Sequence, residues 1–276
     1  MPYSHIQVTF IDANTQMPFA RSDVPLDRLP ETFGLDTTMH LGDDDWRVVK
    51  AEPLTSAEFA QTGKLALTMA RVQHVSPKDI LYSLPTLNND LPRVIGGAQQ
   101  DQRIFSMHED NWRQIEFVSA IYTNAIHAQI GEIRRIFDEE SVQTEGFTAF
   151  RRLYVRKEIP TPIADPLALS FVLSLFAANS TPFDGLAIGT ATDLVEGGFA
   201  LDLSGIVLYG QQLEGNVAAL GLARGTNRSA NPATLSGLFA ALMRQNSLSL
   251  VDWCSMLALT SDSNQWDEYL QALIAR

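Results

Sequence analysis

Between Lys157 and Arg224 the sequence contains no Lys, Arg or His, and Glu158, Asp165, Asp184, Asp193, Glu196, Asp202 and Glu214 carry all of its charge. Four of these, Asp184, Asp193, Glu196 and Asp202, fall at or beside the ends of two expected strands, 185–191 and 199–209. Carboxylates gathered there would bind Mg²⁺ through oxygen, hold a cationic ligand, or supply a general base whose pKa its neighbours raise. Arg224 and Arg228 follow in a loop before the helix expected from Pro232, where two guanidinium groups and a helix N-terminus would hold an anion. These six are the candidate ligand-binding residues. In the competing reading Asp184 and Asp193 open turns, Glu196 precedes the Gly197-Gly198 pair, and all of them face water.

Other clusters carry less chemistry. His108-Glu109 begins like a zinc-binding helix motif, but the fourth residue after His108 is Trp112, which cannot ligate. His40 with Asp43, Asp44 and Asp45 lacks the length and spacing of a calcium loop and reads as a hairpin tip. His127 reads as a boundary residue of a helix. Cys254, between Trp253 and Met256, reads as a core residue, and a single cysteine excludes an internal disulfide and suits a reducing compartment. There is no G-x-G-x-x-G, Walker loop, G-x-S-x-G elbow or paired C-x-x-C. No catalytic residue, metal ligand or cofactor is therefore assigned. Two classes remain: a non-catalytic cytoplasmic binding or protein-interaction protein, which the missing motifs favour, and a small-molecule enzyme with a carboxylate-lined, divalent-metal-dependent site in the C-terminal part.

Composition narrows the partners. An apolar fraction of 45% and a charged fraction of 19% over 276 residues describe a globular chain. A net charge of −12 argues against nucleic acid, whose affinity comes from neutralised phosphates, and leaves a basic protein or a small molecule as the partner. The densest basic cluster, Arg151, Arg152, Arg156 and Lys157, reads as the solvated edge of a strand. The start, MPYSHIQVTF, lacks a basic region followed by an apolar run, and the uncharged run near 166–178 is shorter than the ~20 residues a bilayer needs. The expectation is a cytoplasmic protein without a membrane span.

The elements that must position these residues suggest an α+β fold: a small sheet-rich domain over 1–100, then a helix-rich α/β domain over 101–276, with a long amphipathic helix between them. In the front part, Ile6, Val8 and Phe10 alternate toward a turn at Asp12–Thr15 and a returning strand at 17–21. A second hairpin turns at 42–45. Thr55 and Glu58 have capping-box spacing, Gly63 is placed to end that helix, and Leu65, Leu67 and Met69 alternate as another strand. Residues 77–102 read as linker. Ile115, Val118, Tyr122, Ile126, Ile130, Ile133 and Phe137 recur at helical spacing behind a Ser106–Glu109 capping box, which predicts one helix over 106–141. A strand over 150–159, helices from Asp165-Pro166 to Asn179 and over 211–222, and helices from Asn231-Pro232, over 250–259 and over 265–274 complete the expectation. The shared lettering after Ala164 and Ala230 is accounted for by two amphipathic helices of like composition.

Overall fold

A computed structural model describes residues 2–33, 37–72, 79–97, 101–144, 146–189, 193–226 and 231–275. The fold is a mixture of helices and sheets, and its two compact units are Met1–Asp79 and Ile80–Arg276.

The first unit follows its sequence pattern closely. Strands β1 (His5–Asp12) and β2 (Pro18–Pro25) form a hairpin, closed where Asp12 Oδ1 accepts from the Asn14 and Thr15 amides at 2.8 and 2.9 Å. Those two bonds hold the Asp12 carboxyl below its usual pKa. Strands β3 (Thr38–Leu41) and β4 (Asp44–Glu52) make the second hairpin. At its tip His40 Nδ1 lies 2.9 Å from Asp45 Oδ1 and Asp44 pairs with Arg71, so this cluster satisfies itself. Helix α1 (Ser56–Thr62) begins with both halves of the Thr55–Glu58 capping box and ends at Gly63, whose φ of 69° is one a side chain would resist. Strand β5 (Lys64–Arg71) then enters the middle of the sheet, giving the order β2-β1-β5-β4-β3 with β1 and β5 parallel. Ile6, Val8, Phe10, Phe59, Leu65, Leu67 and Met69 fill its core.

The second unit departs from expectation at several points. Residues 80–97, read as linker, supply β6 (Thr86–Asn88) and β7 (Val94–Gly97), both hydrogen-bonded into this unit's sheets, so the division falls at 79/80 and not near 100. The expected helix over 106–141 is helical only from Thr123. Before it come β8 (Ile104–Met107), a 3-10 turn at Glu109–Asn111, β9 (Ile115–Ser119) and a second 3-10 turn at Ala120–Tyr122, and only then α2 (Thr123–Glu140). The spacing of Ile115 and Val118 misled because a strand buried on both faces places them on opposite sides: Ile115 and Phe117 pack one way, Val118 the other. Ser106 caps nothing; His108 Nδ1 accepts from the Asp110 amide at 3.2 Å instead. At the far end of α2 the Glu140 carboxylate lies 3.6 Å from Arg152, so one of the three carboxylates of that terminus meets a cation of the same chain.

Past α2, β10 (Ser141–Gln143) and β11 (Thr148–Phe150) form a small hairpin and β12 (Tyr154–Arg156) pairs with β6, so the strand expected over 150–159 is broken in two. Helix α3 (Leu169–Phe176) starts at Ala168, and Asp165 does not cap it. Strands β13 (Thr181–Pro182), β14 (Gly185–Ile188), β15 (Asp193–Val195), β16 (Gly198–Asp202), β17 (Ile206–Leu213) and β18 (Asn216–Arg224) follow. The expected strand over 199–209 is thus two strands, and the helix expected over 211–222 is the β17–β18 hairpin. Its turn, Glu214-Gly215, has positive φ at both residues, 51° and 83°, the geometry of a tight hairpin without the Asn-Gly pair that usually announces one. Helix α4 (Pro232–Asn246) starts as expected, with Asn231 Oδ1 accepting from the Ala233 and Thr234 amides. The helix expected over 250–259 is instead β19 (Leu248–Asp252) and β20 (Leu257–Leu259), and α5 (Trp266–Ala275) closes the chain.

These strands make the second unit sheet-based, contrary to the helix-rich expectation. A seven-stranded sheet of order β13-β16-β17-β18-β9-β19-β20 lies beside a four-stranded one of order β7-β15-β14-β8. Alternation decides what each face meets. Ile206, Leu208, Leu220, Leu222 and Leu250 turn toward α3, α4 and α5, while Val207, Tyr209 and Ala219 turn toward Met107, Leu186 and Val195 of the smaller sheet. Farther along that second face, Val118, Val251 and Trp253 receive Ile126, Ile130 and Ile133 of α2.

Candidate functional site

The acidic residues of 184–202 divide between separate partners. Asp184 Oδ2 accepts the Arg103 amide at 2.7 Å, and the Arg103 guanidinium donates to Asp202 Oδ2 at 2.6 Å while lying 4.1 Å over the Phe183 ring. Asp202 Oδ1 accepts from the Ser204 amide at 2.9 Å and so also closes the turn into β17. Glu196 faces Arg93 at 3.5 Å, and Asp193 sits in β15, where its backbone is in register with Gly97 of β7. Only Asp184 and Asp202 are therefore brought together, through Arg103. Among the described residues no group of three or more His, Cys, Asp or Glu is arranged to hold a metal ion. The cations absent from 158–223 come from upstream: parallel pairing of β8 with β14 brings Arg103, and antiparallel pairing of β7 with β15 brings Arg93. Arg228 lies outside the described residues, and Arg224 ends β18 exposed to solvent.

Sequence reasoning missed the polar centre of the unit. Arg113, Glu116 and Arg156 are 4%, 1% and 4% exposed. Arg113 Nε donates to Glu116 Oε2 at 2.6 Å, and Glu116 Oε1 accepts from Trp253 Nε1 at 2.8 Å. Arg156 donates to Gln114 Oε1 at 2.9 Å, to Thr86 Oγ1 at 3.2 Å and to the Arg113 carbonyl at 2.7 Å, with its guanidinium 5.0 Å from the Trp253 ring. Burial pushes its pKa down to about 10, and burial also holds the Tyr209 phenol well above the usual tyrosine range. Arg156 was expected on a solvated edge. In the short strand β12 it turns inward while Val155 turns out, and a run of four basic residues does not distinguish the inward one.

This network sets the course of 108–116. Arg113 has a φ of 56°, in the left-handed region, and its amide donates to the buried Tyr209 hydroxyl at 3.0 Å. The bend starts β9 with one paired position on β18, Glu116 opposite Gly221. A Cβ at Gly221 would lie 2.7 Å from the Tyr209 hydroxyl and 2.7 Å from the Ile115 carbonyl, so only glycine permits the approach. Beyond that pair the strands part. A cavity of about 380 Å³ opens there, walled by Ile115 of β9, Leu222 and Arg224 of β18, Met107 of β8, and Leu273 of α5, with His108 at its edge.

The wall is apolar on one side and cationic at the rim. Arg224 has no carboxylate partner among the described residues. His108 Nδ1 lies 3.2 Å from the Asp110 amide and 3.3 Å from the Asp110 carboxylate, so this ring already has an acidic neighbour. Ser106 also lines the cavity, yet among the described residues it shares no hydrogen bond with His108, the link a nucleophile and its base require. Such a site suits a ligand with an apolar body and an anionic end. Comparison of the chain with protein-family models, with curated proteins and with solved structures gives no significant match, so the chemistry of this cavity is read from its own residues.

Proposed function

We propose that the chain is a non-catalytic binding protein whose second unit takes a small amphipathic anion in the cavity between β8, β9, β18 and α5. The observation that carries this reading is the exposed Arg224 guanidinium, without a carboxylate partner among the described residues, on the rim of a cavity walled by Ile115, Leu222 and Leu273. The Arg224 guanidinium would meet the anionic end, and the apolar wall the remainder. The net charge of −12 supports a partner other than nucleic acid. An enzyme built on Asp184, Asp193, Glu196 and Asp202 has less support, because Arg103 and Arg93 already engage three of the four.

Thermal melts of the full chain with octanoate, octyl phosphate and octyl glucoside test the reading. Stabilisation that saturates with the two anions and is absent with the neutral glycoside is the expected result. Equal response to all three, or none to the anions, overturns it.

A further inference from the structure

The buried charges of the second unit also enclose a much smaller space. A cavity of about 10 Å³ is lined by Asn88, Arg113, Glu116, Gln129, Arg156 and Trp253, among others, and a single water molecule needs roughly 10–15 Å³. Gln129 reaches it from α2. Its side chain is 1% exposed, and its Oε1 is the one buried side-chain oxygen or nitrogen without a hydrogen-bond donor or acceptor among the described residues. Everything else in this polar centre is satisfied, so the exception marks a place where a partner belongs.

Three conditions define that partner. It must donate a proton to an amide oxygen, it must be no larger than a water, and it must tolerate two guanidinium groups set against one buried carboxylate, Glu116, the Asp90 carboxylate 3.6 Å from Arg113 being exposed. An anion brings Oε1 no proton. Ammonium or a metal cation is repelled by Arg113 and Arg156. We infer that the cavity binds one long-lived internal water that donates to Gln129 Oε1 and leaves its lone pairs to the guanidinium groups. The water ties α2 to the Arg113–Glu116–Arg156 centre, which otherwise meets that helix mainly through the apolar packing of Ile126, Ile130 and Ile133.

The test joins a high-resolution crystal structure of the full chain to water-oxygen relaxation dispersion in solution, on the wild type and on Gln129→Met. The expected result is an ordered oxygen within hydrogen-bond distance of Gln129 Oε1. The variant, similar in volume but without the acceptor, should show one fewer long-lived water and a melting temperature lower by about 2–4 °C. A higher melting temperature for Gln129→Met overturns the inference, since it means that the substitution relieved an unsatisfied oxygen. So does density for a chloride with the amide turned to present Nε2, together with a chloride-dependent melting temperature. If Gln129→Met does not fold, the wild-type density alone decides.

Discussion

Glu116 is the buried carboxylate beside Arg113 and Arg156, and its removal leaves Arg113 only the exposed Asp90 carboxylate at 3.6 Å. Glu116→Gln is expected to cost about 3–5 kcal/mol in denaturant unfolding, the range for breaking one side of a buried ion pair. Arg103→Gln should cost far less, on the order of 1 kcal/mol, because that guanidinium is 44% exposed and water replaces part of what it loses. Tyr209 adds a pH dependence of definite sign. Burial raises its folded pKa, whereas an unfolded chain ionises the phenol near pH ~10. Above that pH the folded state holds the extra proton, so the Tyr209 contribution, complete below about pH 10, is lost as pH rises. Arg156, depressed to about 10, acts in the opposite sense above about pH 10, because there the unfolded state holds the extra proton. The measurement is therefore a difference: phenolate absorbance and unfolding free energy against pH for the wild type and for Tyr209→Phe. The wild type should show a phenol that ionises only as the chain unfolds, and the variant should lack it; early, reversible ionisation of every tyrosine contradicts this account.

Elements were legible where a local chemical signal named them and illegible where burial on both faces erased the period. The Thr55–Glu58 box, the Asp12 turn and the Asn231-Pro232 start each rest on a side chain bonding its own neighbourhood, and each is present as read. Thr55→Ala should lower the stability of the first unit by about 0.5–2 kcal/mol, followed by circular dichroism during urea unfolding. By contrast β9, β18 and β19 lie in the middle of a covered sheet, so their apolar residues follow no alternation that separates strand from helix. The candidate site suffered the same loss. Arg224 was legible as a cation after a strand, but Ile115 and Leu222, its apolar partners in the cavity, were assigned to helices. Gly221 is the element-level lever on that cavity. Gly221→Ala drives a methyl into the Tyr209 hydroxyl and the Ile115 carbonyl and should cost at least about 1–3 kcal/mol, measured by thermal unfolding. Unchanged stability would mean that β9 and β18 do not approach as described.

At the scale of the molecule, the two compact units and the distribution of charge govern what can be asked of the chain. Residues 80–97 belong by strand pairing to the second unit, so the amides that β7 pairs with β15 should show hydrogen-exchange protection. Exchange at the rate of an open chain would return that stretch to linker. Among the described residues no helix is long and apolar enough to cross a membrane. An exposed arginine, without a carboxylate partner among the described residues, on the rim of an apolar cavity is the feature on which the proposed function stands, and it must attract an anion against an acidic total of −12. The most direct test is an octanoate titration of the isotope-labelled full chain, followed by amide chemical shifts for the wild type and for Arg224→Gln. The account predicts saturable shifts concentrated at Met107, His108, Ile115, Leu222, Arg224 and Leu273, and a dissociation constant at least ~10-fold weaker in the variant, as the loss of a charged hydrogen bond implies. Shifts that map elsewhere, or an affinity that Arg224→Gln leaves unchanged, would contradict it.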